Sequence, residues 1–140
     1  MLNLCIFLLS FIFMEGVAWF THKYIMHGLL WNLHQSHHQP KKGFEKNDFF
    51  GIFFAAIAIV CIAIGVSAFN YYFWIGLGIT AYGAAYFIFH DIIVHQRVAA
   101  RLKINSPYLQ KITRAHKLHH KTLGKEGAQY FGFLFVRKIK

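Results

Sequence analysis

The chain has 140 residues, enough for a single domain; 56% are hydrophobic, 14% are charged, and fifteen Lys and Arg against five Asp and Glu leave a net charge of +10. The apolar residues stand in long runs rather than amphipathic periods, which excludes an ordinary soluble domain and makes residues 1–140 one membrane-embedded, all-α unit. A nucleic-acid partner is excluded with it, because that use of basic charge needs a soluble basic face; the headgroups of membrane lipids or an acidic protein fit the charge better.

The first run, Leu2 to Phe20, approaches the roughly 20 residues that carry a helix across about 30 Å of hydrocarbon. It has no basic leading region and no small-x-small exit, and it flows straight into a histidine pair, so it is expected to be a span rather than a cleaved signal. Glu15 lies inside it, where an ionisable group is costly and usually functional or paired; a place near a substrate cleft and pairing with a basic residue both remain open. The second run is Phe49 to Phe69 and the third Tyr71 to Phe89, with Tyr71, Tyr72 and Trp74 as an interfacial belt beside the Asn70 turn. Gly76, Gly78 and Gly83 follow no strand and no acidic ribose ligand follows them, so they read as small residues for close helix packing. Tyr82, Tyr86 and Phe89 approach His90 at near-helical spacing, either as packing residues or as the wall of a substrate channel.

Past the third span a last helix is expected, with Ser106 as its cap and Pro107 in its first turn. Leu109, Ile112, His116, His119, His120 and Leu123 fall on one face, and Lys111, Arg114, Lys117, Lys121 and Lys125 on the other. All fifteen cationic residues lie in Lys23 to Lys46 and Arg97 to Lys140, while the N-terminus and the Asn70 turn carry none. The positive-inside rule therefore puts the loop after span one and the tail after span three on the cytoplasmic face of the inner membrane, with the N-terminus outside.

All ten histidines repeat one pattern, His-x4-His followed by His-x2-His-His: His22, His27, His34, His37 and His38, then His90, His95, His116, His119 and His120. Neutral imidazole is a common ligand of first-row metals, and about five such ligands suit an ion with one open position. Two sets of five thus point to two metals facing one shared cluster at the cytoplasmic boundary. On the last helix the histidines share the apolar face, where their polar atoms need a partner and a metal provides one. The His-x4-His pairs cannot stack on a regular helix, since five residues turn it by about 140°; the helix must end or bulge between them, or the rings must approach from different sides.

Five acidic residues cannot build a carboxylate-bridged di-iron bundle. Asp91 and Asp48 are expected instead to fix the tautomers of liganding rings, although Asp48 equally suits capping of the second span. Cys5 and Cys61 lie within apolar runs without C-x-x-C spacing, so neither a disulfide framework nor an iron–sulfur site is expected and electrons must come from elsewhere. No ladder of His, Asp or Cys crosses the spans, which argues against a metal transporter.

The segments HKYIMHGLLWNLHQSHH (22–38), FEKNDFFGIFFA (44–55), YFIFHDIIVHQR (86–97) and RAHKLHHKTLGKEGAQYFGFLF (114–135) resemble those of the bacterial carotenoid hydroxylases, the β-carotene 3-hydroxylases of the fatty-acid hydroxylase superfamily. The histidines alone indicate the wider group of membrane hydroxylases, desaturases and ketolases; HKYIMHG, HD-x-x-VHQR and GKEG narrow it. The resemblance implies that all ten histidines ligate two non-haem irons. It also implies O2 and two external electrons as co-substrates, with hydroxylation at C3 of each β-ionone ring of β-carotene, giving zeaxanthin through β-cryptoxanthin. A ferredoxin-type donor is the expected electron source, docking on the lysines opposite the histidines. Zinc, which outcompetes ferrous iron at nitrogen sites, can take the place of the irons in a purified sample. The alternatives are a β-ring ketolase, a fatty-acid or sterol hydroxylase, or a non-enzymatic membrane metal-binding protein. Many relatives are longer at both ends, where a fourth span would lie.

Overall fold

The computed structural model describes residues 1–39, 43–97, 105–136 and 139. The cationic residues Lys41, Lys42, Arg101, Lys103, Arg137, Lys138 and Lys140 lie outside the described residues. Among the described residues every regular element is helical: α1 (Leu2–Phe20), α2 (Trp31–His34), α3 (Asp48–Gly65), α4 (Tyr71–Tyr86) and α5 (Pro107–His120). Two π-helical segments, Thr21–Leu29 and Phe87–Val94, extend α1 and α4, and a 3-10 turn, Gln35–His38, follows α2. Among the described residues three helical stretches are long and apolar enough to cross a membrane: Leu2–Leu29, Asp48–Gly65 and Tyr71–Val94. In the first two only 11% of the most apolar window is buried within the chain, so their side chains need lipid around them.

The second span is shorter than its apolar run. α3 stops at Gly65, Phe69 takes a positive φ of 46°, and the Asn70 side chain accepts a hydrogen bond from the Tyr72 amide to start α4. The turn needs Gly65, because a Cβ there would collide with the Phe73 backbone. α4 packs between α1 and α3. Gly76 lets it meet α3, since a Cβ would stand 2.7 Å from an Ile62 side-chain carbon and 2.8 Å from the Ala58 carbonyl. Gly78 does the same toward α1, 2.6 Å from Ser10 Cβ and 2.7 Å from the Phe7 carbonyl. Gly83 has nothing within 4 Å of the corresponding position and is not a packing glycine.

The histidines of the first and third spans gather at the end of this bundle opposite the Asn70 turn. His22 and His27 sit in one π-helical segment and His90 in the other, with His95 as its C-cap residue, and the i to i+5 closure of such a segment brings residues five apart toward one side. His95 N–H donates to the His90 carbonyl at 2.9 Å, which is that closure. α5 begins as its sequence predicts, with Ser106 at the N-cap and Pro107 in the first turn, although the serine hydroxyl makes no capping bond. Ile112, Ala115, His116 and His119 are buried along it, and Ile112 and Ala115 join Phe133 and Val136 in a small core. Leu123 departs from expectation: the helix ends at His120, so Leu123 leaves the apolar face and is exposed. Lys125 lies beyond the helix for the same reason.

Candidate metal centre

Nine of the ten histidines form two groups whose ligand atoms lie within 4.8 Å of one another: His22, His27, His34, His38 and His119 in the first, and His37, His90, His95 and His116 in the second. The groups therefore do not follow the two sequence sets. His37 has crossed to the second and His119 to the first. The cause lies in helix geometry. His34 and His38, four residues apart, point the same way, while His37 beside His38 points elsewhere, its ring centroid 6.4 Å off and its plane turned by 89°. His116 and His120 are likewise four apart, with centroids at 4.5 Å, and leave His119 to face the other group.

Every ring of the first group is held by its Nδ1. His22 donates to the Phe131 carbonyl at 3.0 Å, His27 to that of Lys125 at 3.0 Å, His38 to that of Thr122 at 2.8 Å, and His119 to that of Gln129 at 2.8 Å. His34 donates to Asn47 Oδ1 at 2.7 Å. These acceptors fix the proton on Nδ1 and leave each Nε2 as a bare lone pair. The Nε2 atoms nevertheless converge, at 3.2 Å for His22 and His34, 3.2 Å for His34 and His38, and 3.1 Å for His27 and His119. Lone pairs so close repel unless a cation lies among them, and a metal ion fits both the donor set and its orientation.

In the second group His37 Nε2 lies 3.0 Å from His90 Nε2, and His95 Nε2 lies 2.9 Å from His116 Nε2. His37 Nδ1 meets Glu45 Oε2 at 2.9 Å and His90 Nδ1 has Asp91 Oδ1 at 3.5 Å. His120 stacks on His38 with centroids 4.6 Å apart, and its buried Nε2 has no hydrogen-bond partner. Outside the spans, burial is the main cause that lowers the imidazole pKa values. His34 is held at about 2, His95 and His119 at about 3, and His38 at about 4; His37, His116 and His120 also sit well below the ordinary range. These rings stay neutral at physiological pH, the state a metal ligand requires.

Asp91 Oδ1 approaches His90 Nδ1 without a hydrogen bond to it, and among the described residues Asp48 meets no ring. Its carboxylate receives Arg97 at 2.7 and 2.8 Å and the Glu45 amide at 2.9 Å, so its charge is engaged by the guanidinium and the loop. The residues that orient rings from this loop are Glu45 and Asn47, which the sequence reading passed over. Arg97 also bonds Asp91 and the Gly43 carbonyl, tying the loop to the end of the third span.

Among the described residues Glu15 pairs with no basic side chain. It accepts from the Phe133 and Phe135 amides on Oε1, at 2.8 and 2.9 Å, and from the Leu134 amide and Tyr82 hydroxyl on Oε2, at 2.9 and 2.8 Å. Tyr82 is thus an anchor. Phe89 packs on the core around Ile112 and Phe133, whereas Tyr86 stacks on His90 and brings its hydroxyl to 3.1 Å from His90 Nε2. A cavity of about 580 Å³ reaches the second group, bordered by His37, His95, His116 and His120, with Arg97, Lys117 and Lys121 at its edge. The three aromatics are not among its lining residues.

No solved structure matches the chain. It is similar to β-carotene hydroxylases of Pseudescherichia vulneris, at 48% identity over 99% of this chain and 79% of the relative, and of Pantoea ananas, at 46% over 96% and 77%. A β-carotene hydroxylase of a Paracoccus species (strain N81106) is 39% identical over 99% of this chain and 87% of its own length. The fatty acid hydroxylase family matches residues 7–137, which include all ten histidines of the centre. The chain belongs to the fatty acid hydroxylase family, among relatives that are β-carotene hydroxylases.

Proposed function

We propose that this protein is a di-iron monooxygenase that hydroxylates C3 of the β-ionone rings of β-carotene, giving zeaxanthin through β-cryptoxanthin. The observation that carries the proposal is the pair of groups of inward-facing Nε2 atoms at the end of an apolar helical bundle, in a chain similar to β-carotene hydroxylases over nearly its whole length. The first iron is held by His22, His27, His34, His38 and His119. His37, His90, His95 and His116 hold the second, with His120 as its fifth ligand, because its buried Nε2 lacks a partner and it sits four residues from His116. Two reduced irons supply the activation of O2 needed to hydroxylate an unactivated C–H bond. Glu45, Asn47 and the tail carbonyls keep their rings in the liganding tautomer.

The substrate is dissolved in lipid, and a centre at the bundle end lets one ring reach it while the polyene stays beside the spans. Tyr86, whose hydroxyl reaches His90, walls that approach. The cationic loops of the histidine end support a cytoplasmic site at the inner membrane, where a ferredoxin-type donor would supply electrons and lipid headgroups would meet the remaining charge. Expression in cells that accumulate β-carotene is expected to yield β-cryptoxanthin and zeaxanthin. Ring ketones as the products would overturn the assignment in favour of a ketolase, and unchanged β-carotene would overturn carotenoid hydroxylation.

A further inference from the structure

Four of the five rings of the first group take their orientation from one stretch of backbone. Thr122, Lys125, Gln129 and Phe131 turn their carbonyls toward His38, His27, His119 and His22. This stretch contains no regular helix, so its shape must be imposed from outside. Directly after it, three successive amides, Phe133, Leu134 and Phe135, donate to Glu15, whose second oxygen also receives the Tyr82 hydroxyl. Glu15 lies in α1, two helical turns before His22, so a single helix holds both a ring of the first group and the anchor of the strap that orients it. Gly132 completes the contact, since a Cβ there would stand 2.6 Å from the Phe135 carbonyl and 3.4 Å from Glu15 Oε1. Among the described residues the second group takes no hydrogen bond from this stretch: His37 Nδ1 meets Glu45, Asp91 stands 3.5 Å from His90 Nδ1, and Phe133 reaches His90 and His116 through its ring alone, with centroids at 5.6 and 6.5 Å.

We infer that Glu15 is a positioning residue for the first metal alone: by fixing residues 133–135 it holds the carbonyls of residues 122–131 that orient His22, His27, His38 and His119. The carboxylate is suited to this because all four of its partners are donors. A glutamine at the same place would turn an NH2 group toward at least one N–H or O–H donor and break the cradle. The inference rests on the two-metal reading above.

The test is metal stoichiometry of the purified full chain loaded with cobalt(II), with the cobalt spectrum and far-ultraviolet circular dichroism recorded beside it. The wild type should bind two ions, and a wild type that binds none would fail the two-metal reading itself. Glu15→Gln should bind one, in a protein of unchanged helix content, and Glu15→Gln with His95→Ala should bind none. Gly132→Ala perturbs the same cradle from the tail and should reproduce the selective loss. Two ions retained in Glu15→Gln, or loss of both together with the helical signal in both variants, would overturn the inference; the second outcome would assign Glu15 to the fold alone.

Discussion

Replacing His119 by alanine is expected to empty the centre built mainly by the N-terminal histidines, lowering bound metal from two ions to about one per chain. His119 Nε2 lies 3.1 Å from that of His27, and its Nδ1 is locked to the Gln129 carbonyl, so its removal takes a fully oriented ligand from the first group and leaves His37, His90, His95 and His116 untouched. Double substitution exposes the crossing. His119→Ala with His22→Ala damages one group twice and should still leave about one ion, whereas His119→Ala with His95→Ala damages both and should leave none. His37→Ala should behave in mirror image, adding nothing to His95→Ala and removing the remaining ion when combined with His22→Ala. If the metals followed sequence order, the two outcomes would be exchanged for each residue.

The second large effect concerns electron delivery. Lys117 and Lys121 stand with Arg97 at the edge of the cavity that reaches the second group, so an acidic ferredoxin docking there would meet cationic charge close to the rings. Lys125 is a poorer member of such a face, because it has left α5 and its carbonyl serves His27. Changing Lys117 and Lys121 together to glutamate should lower ferredoxin-supported turnover at least ~10-fold at low salt, by loss of long-range steering, with metal content unchanged. Turnover of the unaltered protein should fall as added salt shortens the screening length. Indifference to both the charge reversal and salt would give these lysines to anionic headgroups instead.

Much of this arrangement is legible in the residue pattern. The spans follow from hydropathy, and the π-helical segments answer a problem posed by spacing: rings five apart cannot share one side of a regular helix, and at both His22/His27 and His90/His95 the backbone widens. The exchange of His37 and His119 had a signal too, in the two doublets. Adjacent helical residues diverge by about 100°, so His37 and His38, or His119 and His120, cannot readily face one ion. The orienting shell was less accessible. Four of its acceptors are backbone carbonyls, which any residue supplies, and the tail reaches Glu15 across more than a hundred residues of chain. Asp48 misled because its carboxylate suits a ring, a cap and an arginine equally; only the folded loop shows that Arg97 takes it and that Glu45 and Asn47 face the histidines.

The most direct measurement is the fate of labelled oxygen. The purified, iron-loaded protein, given β-carotene, a reduced ferredoxin and isotopically labelled O2, should form β-cryptoxanthin and then zeaxanthin, each new hydroxyl carrying one labelled oxygen atom, and the His37→Ala and His119→Ala variants should form neither. Hydroxyl oxygen drawn from water, or full product yield from either variant, would contradict a two-iron, histidine-held monooxygenase.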